Sequence, residues 1–307
     1  MEKENIIRNI QSKSENLIRN TESLTATLSR CETRNIPLPI VAILCPNWSI
    51  DNATGQRSIN SIDGEDPNQK LGVLIGQEIP SLISLFNKNG LPVNLTVAIS
   101  DIFDQGWVID ANKIRNEANQ NLNAVKTLWN RFGMRFRDLD QENTGSIVLH
   151  SELMKKMDGF KLLEQLQLEA LIDGTPSSEL FQWFKTFFMK MGEYETLLPK
   201  GDLSKTGGKD LERMRKNFNK WLNRVLYLSA QYSIDGLFAE EFAGTDIPPV
   251  MLNVIKTKHG DAVEFGWNFL RNRLGKPLLP IIELKNNGIE HSWSETPNNP
   301  IIFDEQI

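Results

Sequence analysis

Polar and reactive side chains follow two apolar runs of this sequence, at the points where each run ends. The runs cover 39–44 and 93–99, and a helical pattern over roughly 69–89 lies between them. This order predicts a strand, a helix and a second, parallel strand. The side chains that follow the runs are Cys45, Asn47 and Ser49 for the first, and Ser100 and Asp101 for the second. Ligands of open α/β sheets bind beyond the carboxyl ends of the strands, so we expect these side chains around one crevice.

Cys45 is the first candidate for a nucleophile, because it leaves an apolar strand and is followed by Pro46. A thiol in such a place attacks an acyl carbon when a base or a helix N-terminus lowers its pKa. Ser49 is the second candidate, with a hydroxyl in place of the thiol. Both residues also have a purely structural interpretation, since a free cysteine is commonly buried and a serine commonly forms hydrogen bonds within a turn. Asp101 would accept hydrogen bonds from a ribose or an ammonium group, or would simply end its strand.

A second group of candidates lies in the segment 227–236, which is dense in hydroxyl side chains. Tyr227 and Gln231 are four residues apart and therefore share one face of a helix. Such a face would orient a substrate amine and relay protons. The alternative is an ordinary helix end, with Gly236 as its terminator. The candidates for catalysis here are Tyr227, Gln231 and Tyr232, and those for substrate binding in the whole chain are Asn47, Ser100, Asp101, Asp235, Glu240 and Asn253.

Basic residues recur at spacings of three and four along a predicted helix that begins near 210. They are Arg213, Lys216, Lys220 and Arg224. Between 200 and 224 there are eight Lys and Arg residues against three Asp and Glu, although the whole chain has a formal net charge of −5. This pattern is typical of a surface that contacts RNA phosphates, and also of the solvated charged face of a helix.

Composition and spacing argue against several classes of protein. No apolar run approaches the roughly 20 residues that cross a bilayer, and the N-terminus lacks a signal-peptide pattern. The two cysteines do not suggest a disulfide framework, and the three histidines are far apart, so we expect no metal site. The glycine-rich motifs of dinucleotide and P-loop sites are missing. Residues 140–151 resemble a calcium-binding loop, but Ser151 stands at the twelfth position, where the loop needs a glutamate, so we expect no calcium site. We therefore expect a cytoplasmic protein with no membrane segment and no cofactor.

The expected organisation is one α/β domain built on a mostly parallel sheet. An amphipathic pattern over 4–30 predicts a helix within an N-terminal segment, 1–36. The α/β domain would cover 37–290, with further strands near 146–149, 249–255 and 277–284. The other expected segments are a helical insertion at about 151–230, a polar tail at 291–307 and a long polar loop at 51–68. We expect this loop to close over the strand ends as a mobile lid.

The order of these features resembles the tRNA-dependent cyclodipeptide synthases, over roughly 38–255. In that family a nucleophilic serine follows the first strand of a Rossmann-type sheet, similar to that of class I aminoacyl-tRNA synthetases. The stretch 43–49, Ile-Leu-Cys-Pro-Asn-Trp-Ser, is similar to the family segment Gly-Ile-Ser-x-x-Asn-Ser. In this comparison Cys45 takes the place of the nucleophile, and Ser49 matches the second serine.

Three further stretches are similar to the same family. The second strand ends in an aspartate, Asp101, and a Ser-Glu-Leu helix start stands at 151–153. Tyr227 and Gln231 resemble the family's Tyr-x-x-x-Glu pair, which holds the substrate amine, but with glutamine in place of the acid.

The resemblance implies a Rossmann-like fold and an acyl or aminoacyl transferase for an amino-acid-derived substrate. Its donor would be aminoacyl-tRNA, or a free amino acid or another activated acyl group in a diverged relative. Cys45 would then form a thioester rather than an ester. Gln231 lacks the charge that would hold an ammonium group, unless Asp235 or Glu240 supplies it. The alternatives are a non-catalytic binding or interaction protein on the same fold, and another amino-acid-modifying enzyme similar to the isocyanide synthases.

Overall fold

A computed structural model describes residues 3–14, 17–44, 48–50, 57–59, 79–100, 144–190, 207–253 and 260–284. The strands are β1 (Leu17–Arg19), β2 (Leu38–Leu44), β3 (Trp48–Ile50), β4 (Arg57–Ile59), β5 (Val93–Ile99), β6 (Thr144–Leu149), β7 (Val250–Asn253) and β8 (Ile281–Glu283). The helices are α1 (Lys3–Ser14), α2 (Thr21–Arg34), α3 (Ile79–Lys88), α4 (His150–Lys156), α5 (Gly159–Ala170), α6 (Pro176–Lys190), α7 (Gly208–Leu237), α8 (Ala239–Ala243) and α9 (Gly260–Arg273).

The main sheet formed by the described strands has the order β1-β8-β7-β2-β5-β6. Every neighbouring pair in it is parallel except β1 with β8, which is antiparallel. From β2 the chain proceeds outward through β5 and β6, and then returns to the other side of β2 for β7 and β8. This reversal is characteristic of a Rossmann-like fold, and it places the topological switch point between β2 and β7. The expected α/β fold with a mostly parallel sheet is therefore confirmed.

Helices cover both faces of this sheet, because its central strands are apolar on both sides. On β2, Ile40 and Ala42 belong to one buried cluster, which also contains residues of α1, α2 and α3. Val41, between them, belongs to a second cluster with residues of α8 and α9. Alternation of side chains along a strand divides the two faces in this way, and the result is three layers: helices, sheet, helices.

The N-terminal segment differs from the single helix expected over 4–30. The structure divides it into α1, β1 and α2. Ile6, Ile18 and Leu28 are all buried in one cluster, which explains why the apolar pattern is continuous in the sequence. Asn20 has a left-handed backbone with φ of 56°, and its side-chain amide donates to Leu279 O at 3.0 Å. The expected helix is therefore interrupted at β1, because pairing with β8 satisfies the backbone hydrogen bonds of this segment. The pattern of neighbouring residues does not reveal such a partner.

Three other boundaries differ from the sequence-based expectation. The helical pattern after 151 is divided among α4, α5 and α6, and α7 continues to Leu237, so Gly236 lies within the helix rather than beyond its end. Within the expected loop at 51–68, β4 pairs antiparallel with β3. The rest of that loop lies outside the described residues.

Among the residues that the structure describes, no helix is both long and apolar enough to span a membrane.

Helices α7 and α9 approach each other closely at Gly236. A methyl group at this position would overlap the backbone carbonyl of Trp267. Beside this contact, the buried guanidinium of Arg271 donates to Gly236 O at 3.1 Å and to the two carboxylate oxygens of Glu240 at 2.6 and 2.7 Å. Arg271 also donates to Pro277 O at 2.7 Å. One cation therefore satisfies a carbonyl at the end of α7 and joins that end to α8, α9 and the segment before β8.

The close contact predicts that even the substitution of Gly236 by alanine lowers the stability of the protein strongly. We expect Gly236→Ala to lower the free energy of unfolding by about 3 kcal/mol or more, because the clashing atom belongs to a backbone that cannot rotate away. Urea unfolding measures this change. Gly208→Ala is the matched control, since no heavy atom lies within 4 Å of the added methyl group. Equal stabilities of the two variants would contradict the close packing of α7 against α9.

A group of charges holds β1 at the edge of the sheet. Arg19 pairs with the buried Glu283 of β8, with Glu264 at 3.0 Å and with Asp261 at 2.7 Å. Burial lowers the pKa of Arg19, but the three carboxylates outweigh this effect and raise that pKa above its ordinary value. Burial raises the pKa of Glu283, and Arg19 only partly offsets this, because one cation is shared by three carboxylates.

Glu283 should make the stability of the protein depend on pH in a defined direction. Its pKa is raised in the folded chain, so the folded state binds a proton that the unfolded state has released. This contribution is complete below the ordinary pKa of a glutamate and is lost as the pH rises through the raised value. In urea unfolding between about pH 4 and pH 8, the stability of the parent protein relative to Glu283→Gln should fall as the pH rises. A relative stability that rises with pH would contradict this.

Candidate functional site

Three neighbouring strands of the sheet end in register. Leu44, the last residue of β2, pairs with Ile99, the last of β5, and Ile99 pairs with Leu149, the last of β6. The residues that follow these three strand ends in the sequence are Cys45, Ser100 and His150. Ser100 and His150 are both buried at the carboxyl edge of the sheet, where ligands of this fold bind. Cys45 lies outside the described residues.

Helix α7 brings two polar side chains to this edge. Oδ1 of Asp235 lies 2.6 Å from Nε2 of His150. Nε2 of Gln231 lies 3.4 Å from Nδ1 of the same ring and donates to Oγ of Ser100, also at 3.4 Å. We call Ser100, His150, Gln231 and Asp235 the edge cluster. Its members come from three elements of the chain and form one connected series of polar contacts.

The spacing of α7 explains how one helix supplies this face. Tyr227, Gln231 and Asp235 follow one another at intervals of four, so their side chains lie on one side of the helix, one above the other. All three are buried. Buried positions of a helix are usually apolar, so these polar residues are an exception to the apolar pattern of the core.

Burial determines the electrostatics of the edge cluster. His150 is 0% exposed and Asp235 is 1% exposed, and the ring of Phe242 lies 5.5 Å from the imidazole. A carboxylate removed from water is stabilised only when a charge or hydrogen-bond donor compensates for the lost hydration. Nε2 of His150 lies at ion-pair distance from this carboxylate, but the contact does not have hydrogen-bond geometry.

The cluster contains one residue that the sequence did not single out, His150. In the sequence the three histidines are far apart, which argues against a metal site and indicates no other role for them. The available signal was the position of His150, since it directly follows the predicted strand 146–149. Its partner Asp235 is 85 residues away in the chain, so no local pattern connects the two. Among the described residues, no group of His, Cys, Asp or Glu is arranged to hold a metal ion.

The other predicted site residues are distributed around the fold. Tyr232 is half-buried and stacks on Phe184 with the ring centroids 5.8 Å apart. Both carboxylate oxygens of Glu240 bind Arg271, and Asn253 is buried at the carboxyl end of β7. The backbone of Ser49 lies in β3, opposite Ser58. Two further predictions, Asn47 and Asp101, fall outside the described residues.

The four basic residues lie on α7 within its first 17 residues, 208–224. Arg213 and Lys216 are exposed, whereas Lys220 and Arg224 are half-buried. Arg213 lies 3.5 Å from Asp210, one turn earlier in the helix. Because the helix is continuous from Gly208 to Leu237, it carries the basic residues at one end and the polar residues of the edge cluster at the other.

Comparisons with known proteins add no family to this description. No protein-family model matches the chain, and no curated protein matches it. The resemblance to cyclodipeptide synthases therefore depends on the residues of this chain and on their order. Function has to be argued from the edge cluster and from the helix that carries it.

Proposed function

We propose that this protein is an acyl or aminoacyl transferase that acts on an amino-acid-derived substrate. The observation that carries the proposal is the meeting of Gln231 with Ser100 and His150 at the carboxyl edge of a parallel sheet. This edge is where α/β sheets bind their ligands, and Gln231 is the residue that corresponds to the amine-holding acid of the cyclodipeptide synthases. A buried polar cluster at that edge costs free energy, which a functional role would explain.

The positions of Asp235 and Glu240 indicate which of the two acids would supply the negative charge for an ammonium group. Gln231 is neutral, so an ammonium group held there needs a carboxylate nearby. Asp235 is one helical turn from Gln231 and belongs to the same cluster. Glu240, by contrast, has both oxygens bound to the buried Arg271. Asp235 is therefore the acid that we assign to the substrate site.

The transfer would proceed in two steps. The thiol of Cys45 attacks the carbonyl carbon of an ester such as an aminoacyl-tRNA, the ester bond breaks, and the ribose hydroxyl leaves with the thiol proton. The amine of a second substrate then attacks the thioester, forms an amide and releases the thiol. Ser49 would replace Cys45 as the nucleophile if the intermediate is an ester. Both assignments of the nucleophile are predictions from the sequence.

Incubation with a pool of charged tRNAs tests this proposal. Intact mass spectrometry should detect an aminoacyl adduct on the parent protein, and none with the same tRNAs after deacylation. Cys45→Ala should abolish the adduct if the thiol is the nucleophile, and Ser49→Ala if the hydroxyl is. Cys31 serves as the internal control, because it is buried in α2 and burial raises the pKa of its thiol to about 11. Absence of any adduct and of any dipeptide product would favour the non-catalytic alternative.

Aminoacyl-tRNA is the donor that the basic residues of α7 favour. Lys220 and Gln231 are separated by eleven residues. At a rise of 1.5 Å per residue they are about 16 Å apart along the helix axis. An RNA whose phosphates bind Arg213, Lys216, Lys220 and Arg224 would therefore extend towards the edge cluster. This arrangement suits a tRNA whose aminoacylated end enters the site.

Reversing two of these charges should weaken RNA binding without unfolding the protein. We expect Lys216→Glu/Lys220→Glu to lower tRNA affinity and to reduce the salt dependence of binding by about two in slope, one for each phosphate that is no longer neutralised. Stability should change by no more than about 0.5 kcal/mol per substitution, because Lys216 is exposed and Lys220 is only half-buried. A fluorescence titration at several salt concentrations measures the affinity.

The control for this variant is Arg30→Glu/Lys88→Glu. Both residues are exposed, and they lie on helices that lead into the amino ends of β2 and β5, at the opposite edge of the sheet. This variant has the same net charge as the first and should bind tRNA like the parent. Equal affinities of the two variants would show that α7 is not the RNA-binding surface, and a small-molecule acyl donor would then replace tRNA.

A further inference from the structure

We infer that the carboxyl ends of β7 and β8 form a second substrate site, in which Glu283 and Glu264 bind a cationic side chain of the amine that accepts the acyl group. The acceptor is accordingly a basic amino acid derivative, with an ammonium or guanidinium group at the end of its side chain. The inference rests on the proposed function, because the acceptor amine is the second substrate of the proposed transfer. It assigns a role to a group of charges that the transfer steps do not use.

This site lies on the other side of β2 from the edge cluster. In the sheet β2 has β5 as one neighbour and β7 as the other. Ser100 directly follows β5, whereas Asn253 ends β7 and pairs in register with Glu283, the last residue of β8. Ligands of such a sheet bind at its carboxyl edge near the switch point, which lies between β2 and β7. A nucleophile that follows β2 would therefore have a polar group on each side.

Asn253 and Glu283 share one face of the sheet, because residues in register on parallel strands point to the same side. Met251 and Ile281, two residues earlier on the same strands, belong to the buried cluster that contains residues of α8 and α9. Both polar residues are buried. Two buried polar side chains therefore lie side by side where the apolar strands β7 and β8 end.

Three carboxylates lead from the solvent to this place. Their side-chain exposure falls from 69% at Asp261 through 29% at Glu264 to 0% at Glu283, and all three contact Arg19. A cation that enters along these carboxylates meets Glu264 before Glu283.

One carboxylate oxygen of Glu283 is available to a ligand. Oε1 accepts a hydrogen bond from Arg19, whereas Oε2 is buried and accepts none from any residue that the structure describes. Buried polar atoms have a partner in the great majority of cases, and exceptions need an explanation. A ligand that donates to Oε2 supplies one, and it disrupts no contact of the fold.

The charges of this group favour a cation as that ligand. Within the described residues of the group, one guanidinium faces three carboxylates. Burial raises the pKa of Glu283, and Arg19 offsets this effect only in part. A second cation beside Oε2 would favour the ionised carboxylate and form a charge-assisted hydrogen bond with it. Ammonium and guanidinium groups suit this place because they are donors only.

The distance across the sheet suits a long side chain. One strand, β7, lies between β8 and β2, so at about 4.8 Å between neighbouring strands β8 is about 10 Å from β2. Lysine and arginine side chains carry their charge on a stem of several carbons, which together with the side chain of Glu283 covers such a distance. The charged end would then bind Glu283 while the acceptor amine remains near the acyl group that follows β2.

Isothermal titration of the parent protein tests the site without any catalysis. The probes are Nα-acetyl-lysine methylamide and Nα-acetyl-arginine methylamide, whose blocked α-amines cannot bind the edge cluster as ammonium groups. Their neutral counterparts are the same derivatives of norleucine and citrulline. We expect at least one charged probe to bind at least about tenfold more tightly than its neutral counterpart, the difference expected for a hydrogen bond to a charged group. Equal affinities within both pairs would overturn the inference.

Substitutions assign this binding to the carboxylates. Glu283→Gln retains the shape and an oxygen for Arg19, and should weaken binding of the charged probe at least about tenfold. Glu264→Gln should weaken it by a smaller factor. Asp246→Asn is the matched control, because Asp246 also pairs with an arginine, Arg34 at 2.8 Å, but lies before β7 at the opposite edge of the sheet. It should bind like the parent.

Parental affinity in Glu283→Gln would overturn the assignment. Circular dichroism shows whether this variant is folded. If it is not, Glu264→Gln decides, and parental affinity in that variant would overturn the assignment equally.

Consumption of the aminoacyl adduct separates this inference from the proposed function. Lysine amide or arginine amide should consume the adduct of the parent faster than norleucine amide does. Asp246→Asn should retain this preference, and Glu283→Gln should lose it. Equal rates for all three amides in the parent would overturn the inference and leave the proposed transfer standing. If no adduct forms, the proposed function fails and the acceptor role fails with it, whereas selective binding of a charged probe would still establish the cation site.

Discussion

The close approach of α7 to α9 at Gly236 is the constraint on which the site depends. Any side chain at this position would overlap the carbonyl of Trp267, so the two helices can meet only through a glycine. Arg271 then completes the contact by donating to the carbonyl oxygen of Gly236 and to Glu240. Asp235 is the preceding residue in the chain, and its carboxylate reaches His150 at the edge of the sheet. The packing that stabilises the helical layer therefore also sets the position of the edge cluster.

The edge cluster has an energetic cost. Asp235 and His150 are almost fully buried, and an isolated carboxylate in such surroundings would cost several kcal/mol. The fold holds the two groups 2.6 Å apart, and Gln231 donates to Ser100 beside them. Apolar residues at these positions would avoid the cost entirely. This is why a polar cluster at the ligand-binding edge of the sheet indicates function more strongly than its stabilising contacts alone.

Most of the fold could be predicted from the sequence, because it depends on local periodicity. The strands β2, β5 and β7, and the helices α7 and α9, are found close to the expected positions. The N-terminal segment is the exception. Its apolar residues fit a helix, and β1 forms only because β8 offers it a partner from the other end of the chain. The side chains at Ser100, Gln231 and Asp235 were candidates because they end a strand or share a helix face.

The sequence by itself determined the α/β class, the parallel strands and the candidates on α7, since each follows from the pattern of neighbouring residues. The tertiary structure decided which candidates meet. His150 joined the site because β6 ends in register with β5, and Asp235 reached it from a helix that begins more than fifty residues later. Glu240 was directed to Arg271 by the packing of α8 and α9. These contacts join residues far apart in the chain, and only the packing of helices on a sheet determines such distances.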